Sequence, residues 1–310
     1  MTLKNLLTLF VLSALALTAT PQTYDGIRVG TDELKYLVYI EVYFTDGFIH
    51  CGGVVVSDQW ILSAGHNFEN RKFAENRMLN EPNQIKIVAG VKNRQQKKWP
   101  TQIRVVDPSA VIIHDEYLYN NDKKYDVALV FLNRRLNIRG RTSGVRPAVL
   151  ARHGDVVQPD TEVTVAGWGC TRRSDWPVVA YKAHPKILSE DYCDEHATFY
   201  HRDHNLCYGC QQGTCGNAGK GDSGTPVVEL RGNSEVVIGI HVAGCNNLQE
   251  VCTPEHPGTA IDIAKVRNWI DTKMGVRRST FFTIEKLVGT FLAAAAASGA
   301  FAFYLNYAGC

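Results

Sequence analysis

The sequence predicts an all-β domain over residues 27–275, on three observations. Its apolar stretches are short and β-branched, Gly, Asn and Asp separate them, and helical periodicity is confined to one segment near the end. The stretches run in order Tyr36 to Phe44, Gly53 to Val56, Ile85 to Val88, Ile103 to Val106, Val127 to Phe131, Val163 to Val165, Val227 to Leu230 and Val236 to His241. Each is a strand candidate, and together they fit a sandwich or a barrel. Residues 69–83 are charged and aperiodic and read as an exposed loop. From Ile261 to Met274, Ile261, Ile263, Ala264, Val266, Trp269 and Ile270 recur at helical spacing and predict a helix.

The flanks have other signatures. Residues 1–19 begin with one cation, continue through the apolar Leu6 to Leu17 and end in small residues, which predicts a cleavable secretory signal. Residues 20–26 are then a short propeptide. Residues 276–310 form a linker and a tail whose last 24 residues, Leu287 to Cys310, carry no charge. Three readings of that tail stay open: a glycolipid-anchor signal removed after Ser279 or Gly275, a single membrane span, or a helix packed on the domain. Arg277, Arg278 and Lys286 would face outward after signal removal, against the positive-inside preference for a plain span.

The 310 residues are 45% hydrophobic and 21% charged, which excludes a collagenous, wholly disordered or many-pass membrane chain. A net charge of +2 gives no reason to expect nucleic acid as a partner. Nine cysteines suit an oxidising compartment, and a single C-x-x-C pair, Cys207 and Cys210, argues against a zinc ribbon. His196, His201 and His204 lie in a polar stretch without matching carboxylates and read as a solvated loop, so no metal is expected.

Chemistry concentrates in three segments. Trp60-Ile61-Leu62-Ser63-Ala64-Gly65-His66, Tyr125-Asp126-Val127-Ala128-Leu129 and Gly221-Asp222-Ser223-Gly224 supply His66, Asp126 and Ser223 in that order. A serine hydroxyl is a poor nucleophile until a base takes its proton. An imidazole does so near neutral pH, and a buried carboxylate fixes the ring and steadies the imidazolium. Gly221 lets its N–H and that of Ser223 face a developing oxyanion. No cofactor is needed.

These segments, with Ala166-Gly167-Trp168-Gly169 and His256-Pro257-Gly258, resemble the chymotrypsin/trypsin family over nearly all of residues 27–274. The resemblance implies two six-stranded antiparallel β-barrels with a C-terminal helix, and a serine endopeptidase acting on protein or peptide substrates. It also implies an activating protease and a serine-protease inhibitor as partners. Ile27-Arg28-Val29-Gly30 resembles the family's new N-terminus, whose amino group pairs with the Asp before the nucleophile, here Asp222. Gly26 stands where the family has Arg or Lys, and a cut after Arg28 would instead leave Val29 first. Cys193 and Cys207 match a family disulfide. Asn67 replaces the usual bridge partner of Cys51, and Gly219 replaces another family cysteine. Cys215–Cys245, near the substrate pocket, is one candidate for a further bridge.

In the pocket for the cleaved residue, Asn217, followed by Ala218, replaces the family's charge-determining Asp. Gly239-Ile240-His241 places an imidazole on the facing strand, as in family members that accept Glu or Gln. If Glu binding needs protonated His241, Glu cleavage falls above about pH 7 and Gln cleavage changes less. A catalytically silent homologue, acting as a secreted or cell-surface binding protein, is the alternative, and the intact His66, Asp126 and Ser223 argue against it. A lipase would need the order Ser, Asp or Glu, His.

Overall fold

The computed structural model describes residues 26–45, 47–69, 82–117, 123–140, 143–171, 176–210, 217–244 and 257–275. The expected signal, nearly all of the propeptide, the tail, most of the 69–83 loop and Cys215, Cys245 and Cys252 lie outside the described residues. The chain divides into two compact units, residues 1–266 and 267–310.

Sixteen strands are described. They are β1 (Ile27–Arg28), β2 (Leu37–Phe44), β3 (Gly47–Val55), β4 (Trp60–Ser63), β5 (Gln84–Ala89), β6 (Gln102–Val106), β7 (Val111–Ile113), β8 (Ala128–Phe131), β9 (Val149–Leu150), β10 (Val163–Gly167), β11 (Tyr181–Ala183), β12 (Lys186–Ile187), β13 (Asn205–Gly209), β14 (Pro226–Arg231), β15 (Ser234–Ala243) and β16 (Gly258–Asp262). Two helices are described, α1 (Glu190–His196) and α2 (Ile263–Lys273).

The strands form two curled sheets. The first is ordered β6-β5-β2-β3-β4-β8-β7, and the second β1-β11-β10-β14-β15-β16-β13-β12 with β9 on β15. Seven and nine members exceed the six expected of each barrel, and in the second sheet the surplus is short: β1, β9 and β12 have two residues each. The pairing is antiparallel except for β9, which runs parallel to β15. In the first sheet Val38, Ile40, Val42, Val54, Ile61, Leu62, Ile85 and Leu129 are wholly buried. Burying one such side chain stabilises the fold by about 1.5–3 kcal/mol.

Two expectations are corrected. The C-terminal helix begins at Ile263, because Ile261 and Asp262 complete β16 and the Asp262 carboxylate caps the Ala264 N–H at 2.9 Å. A second helix, α1, occupies part of the stretch read as a solvated loop. Its signals are a Ser189 cap on the Tyr192 N–H and acidic Glu190 and Asp191 in its first turn. At seven residues with one buried position, Cys193, it is too short to show a period. Cys193 is bonded to Cys207 of β13, as the resemblance implied. No helix among the described residues is long and apolar enough to cross a membrane.

Candidate active site

Strand pairing brings His66 and Asp126 together across 60 residues of sequence. Ser63 of β4 pairs with Ala128 of β8, so the turn after β4 and the residues before β8 emerge at the same end of the sheet. The turn carries His66 and the approach to β8 carries Asp126. Asp126 Oδ1 accepts the His66 backbone N–H at 2.7 Å, and Oδ2 lies 2.7 Å from His66 Nδ1. An ionised carboxylate only accepts, so the proton on this ring resides on Nδ1 and Nε2 is the basic atom.

Burial opposes ionisation of Asp126. The facing His66, its hydrogen bonds and the Lys123 ammonium outweigh that cost and hold the carboxyl below the usual carboxylate range. Lys123 was not foreseen. Its Nζ stands 3.5 Å from the same Oδ2 that holds His66, and its side chain is nearly buried. Lys123 and Tyr125 both have left-handed backbones, φ 61° and 52°, in the turn that delivers Asp126.

Ser223 belongs to the loop before β14, in the other sheet. Its carbonyl accepts from the Gly52 N–H at 2.8 Å and from Asn67 Nδ2 at 3.2 Å. The same Asn67 amide reaches Ser63 Oγ, which donates to the Gly52 carbonyl. Asn67, standing where the family pattern has a cysteine, thus ties the His66 turn to the Ser223 loop by hydrogen bonds. It is buried, and only its position one residue after His66 hinted at this role. No hydrogen bond joins Ser223 Oγ to His66 among the described residues. Such contacts are often loose before substrate binds.

Gly221 has φ +95°, which an L side chain rarely adopts, and a Cβ there would stand 3.0 Å from His50 Nε2 and 3.2 Å from the Trp176 ring. Burial pushes the His50 imidazole down to about 4, with Arg94 adding to the effect and Glu41 opposing it.

Asp222 is buried and accepts the Gly169 N–H at 2.7 Å and the Gly219 N–H at 3.0 Å. The Gly-Trp-Gly marker has a steric reason here: a Cβ on Gly167 or Gly169 would come within 2.1 or 2.4 Å of the Asp222 carboxylate. Burial raises the Asp222 carboxyl to about 6, and the two backbone N–H groups offset only part of that. A cavity of about 30 Å³ adjoins it, lined among others by Gly26, Asn217, Ala218 and Asp222. The structure does not bring Ile27 into this cavity. Ile27 pairs with Lys182 in β1 and is 65% exposed.

In the expected substrate pocket, Asn217 turns its Oδ1 back onto the Ala218 N–H at 2.9 Å, and Ala218 is buried. His241 is buried on β15, beside a bulge between His241 and Ala243. Its Nδ1 lies 2.7 Å from the hydroxyl of Tyr208. Burial pushes its imidazole down to about 3, with the nearby His66 adding to the effect and Asp126 and Thr259 opposing it. A switch of Glu binding near pH 7 through His241 protonation is therefore not supported, because the ring stays neutral well below that pH. Tyr208 was missed by sequence reasoning. It sits opposite Gly258 in the β13–β16 register, and its ring fills the space that a Cβ on Gly258 would need. No feature of the sequence alone pointed to it, since its partners are set by strand register.

A family model described as Trypsin matches residues 30–270. Coagulation factor XI of Bos taurus is 30% identical over 227 residues, covering 71% of this chain and 32% of that protein. Phenoloxidase-activating factor 1 of Holotrichia diomphalia is 25% identical over 244 residues, covering 71% of this chain and 60% of that protein. Cathepsin G of Mus musculus is 27% identical over 212 residues, covering 68% and 72%. The chain thus spans less than two thirds of the first two relatives. The solved structure "Structure of GrC" has the same fold, with a TM-score of 0.64 at 24% identity over 80% of this chain and 98% of that one.

Proposed function

Because the chain belongs to the trypsin family, we propose that it is a serine endopeptidase with Ser223 as nucleophile, His66 as base and Asp126 as the group that orients it. The observation that carries this reading is the double contact of Asp126 with His66, both at 2.7 Å, which leaves Nε2 as the basic nitrogen. Ser223 Oγ attacks the peptide carbonyl while Nε2 takes its proton, and the N–H groups of Gly221 and Ser223 receive the oxyanion. The imidazolium returns that proton to the leaving amine as the C–N bond breaks. Water, deprotonated by His66, then hydrolyses the acyl ester and frees Ser223. The test is labelling by a serine-reactive fluorophosphonate, expected in the wild-type chain and absent in Ser223→Ala. An unlabelled, proteolytically matured wild type would leave the silent binding protein as the better reading.

The pocket is proposed to favour Gln and Glu over Lys and Arg at the cleaved residue. Asn217 offers no charge to a buried cation, which would stay unpaired. His241 offers a neutral hydrogen-bonding edge, so Gln should lead Glu, whose carboxylate would also lack a counter-charge.

Activation is proposed to place a new α-amino group beside Asp222. A start at Ile27 or Val29 requires β1 to slide, whereas a start at Gly26 does not, since Gly26 already lines that cavity. N-terminal sequencing of active enzyme separates the three. The signal-like residues 1–19 and the Cys193–Cys207 bond support a place in the secretory pathway and outside the cell. Tethering through the uncharged tail is proposed with it: truncation after Gly275 should release the chain from membranes.

A further inference from the structure

The near-neutral net charge hides a strong segregation. Residues 82–106 contain six Lys and Arg and no Asp or Glu, and residues 128–154 contain six more and again none. Twelve of the chain's 33 basic residues thus lie in two acid-free segments.

The fold joins these segments on one surface. Gln102 of the edge strand β6 exchanges two hydrogen bonds with the Asn137 backbone, at 2.8 and 2.7 Å. Arg104 donates to the carbonyls of Arg134 and Arg135, and Arg146 to those of Ile138 and Gly140. Pro100 packs on Gly144. The Arg104 guanidinium, which ties the two segments together, and that of Arg146, which folds the second onto itself, therefore use carbonyl oxygens and leave the positive charge uncompensated.

Among the described residues of both segments, only Lys86 and Arg135 pair with a carboxylate, on Glu41 and Asp58. Lys97, Lys98, Arg134 and Arg139 are exposed. Apolar side chains stand exposed in the first of these segments: Trp99 is 56% exposed, Val105 47% and Ile103 39%. A uniform polyanion would use the charges and leave the indole and the aliphatic side chains in water. A polypeptide with carboxylates close to an aromatic or aliphatic side chain would use both.

We propose that this face, built on β6 and the 133–140 segment, is a docking surface for an acidic, apolar-containing segment of a partner polypeptide. It does not depend on turnover, so it stands or falls separately from the assignment of Ser223.

Fluorescence anisotropy tests it on the full chain carrying Ser223→Ala, with a labelled synthetic peptide of alternating Glu and Phe as the probe. Binding should weaken steeply with salt. Lys97→Glu with Lys98→Glu, or Arg134→Glu with Arg139→Glu, should each weaken it by about tenfold or more. Trp99→Ala, or Val105→Ser as a second exposed position, should weaken the peptide several-fold and leave a heparin fragment unaffected. Three results would overturn the proposal. One is no binding of the peptide. Another is equal binding when Gly replaces its Phe residues, which would make the face a general polyanion site. The third is capture by phosphatidylserine vesicles without capture of the peptide, which would make it a membrane contact.

Discussion

The junction that holds His66, Asp126 and Ser223 and the wall that holds Asp222 and His241 meet in the loop before β14, where Asp222 immediately precedes Ser223, yet they treat buried polar groups in opposite ways. At the junction every buried charge has an answer: Asp126 accepts twice from His66 and faces Lys123, and Asn67 links Ser63 to the Ser223 carbonyl. Along the wall, burial dominates. It raises Asp222 to about 6 and lowers His241 to about 3, with hydrogen bonds but no facing opposite charge in contact. The junction is thus built to hold charge. The wall is built to keep its groups neutral or to await a charge from elsewhere.

The comparison breaks most visibly at the junction. Ser223→Ala or His66→Ala should lower hydrolysis of a peptide substrate by about four to six orders of magnitude, since the three groups act as a unit. Near wild-type turnover in either variant removes the assignment. Next in size is Asn67→Leu, which leaves the Ser223 carbonyl with one donor fewer and removes the link to Ser63. A loss of about 1–3 kcal/mol in urea unfolding is expected, with a matching fall in labelling rate. Asn67→Ser, able to keep one bond, should lose less.

How much of this was legible follows from what each part depends on. The all-β class was readable because β-branched runs are local features, the two barrels came only with the resemblance, and the segments that the fold brings together at His66 and Asp126 stood out as short local motifs. Lys123 and Tyr208 were not readable, because each acts through a partner reached only by folding: Lys123 through a left-handed turn, Tyr208 through its register opposite Gly258. Helix α1 escaped because seven residues with one buried face position leave no period to detect. Ile27 is expected beside Asp222 only after cleavage, on the strength of a motif; in the uncut chain it pairs in β1, and Gly26 lines the cavity next to Asp222.

The wall makes smaller predictions, one in specificity and one in stability. His241→Val should shift preference from Gln and Glu toward apolar side chains by about tenfold, read from a peptide-library profile. An unchanged profile would make His241 a core residue only. The single variant strands the Tyr208 hydroxyl, so His241→Val with Tyr208→Phe is the better-folded control. The sign of the pH effect is fixed by burial. His241 binds a proton near its ordinary value when unfolded but only near pH 3 when folded. Its contribution is therefore complete above about pH 6.5 and is lost as pH falls from there toward 3. Asp222 and Asp262, both raised to about 6, act in the opposite sense: they favour the fold below about pH 4 and lose that contribution as pH rises through 6. The double variant should show a shallower acid loss in urea midpoints than wild type. A new α-amino group beside Asp222 should remove its part of the loss above pH 6.

The smallest effect returns to the junction and concerns Lys123. Its ammonium lies 3.5 Å from Asp126 Oδ2, the oxygen that also holds His66 Nδ1. Its charge is one of the causes that hold the Asp126 carboxyl below the usual carboxylate range, so Lys123 should help keep that carboxylate ionised, and the site active, toward acid pH. His241 is the other titratable group near this pair, and being neutral above about pH 3 it adds no charge in the relevant range. Lys123→Met should then move the acid limb of fluorophosphonate labelling upward while leaving the plateau rate close to wild type. Lys123→Arg keeps the charge and should keep the limb. A limb that stays in place in Lys123→Met means that solvent screens the ammonium from the Asp126 carboxylate. A plateau that collapses in both variants means that Lys123 matters for the left-handed turn carrying Asp126, not for its charge.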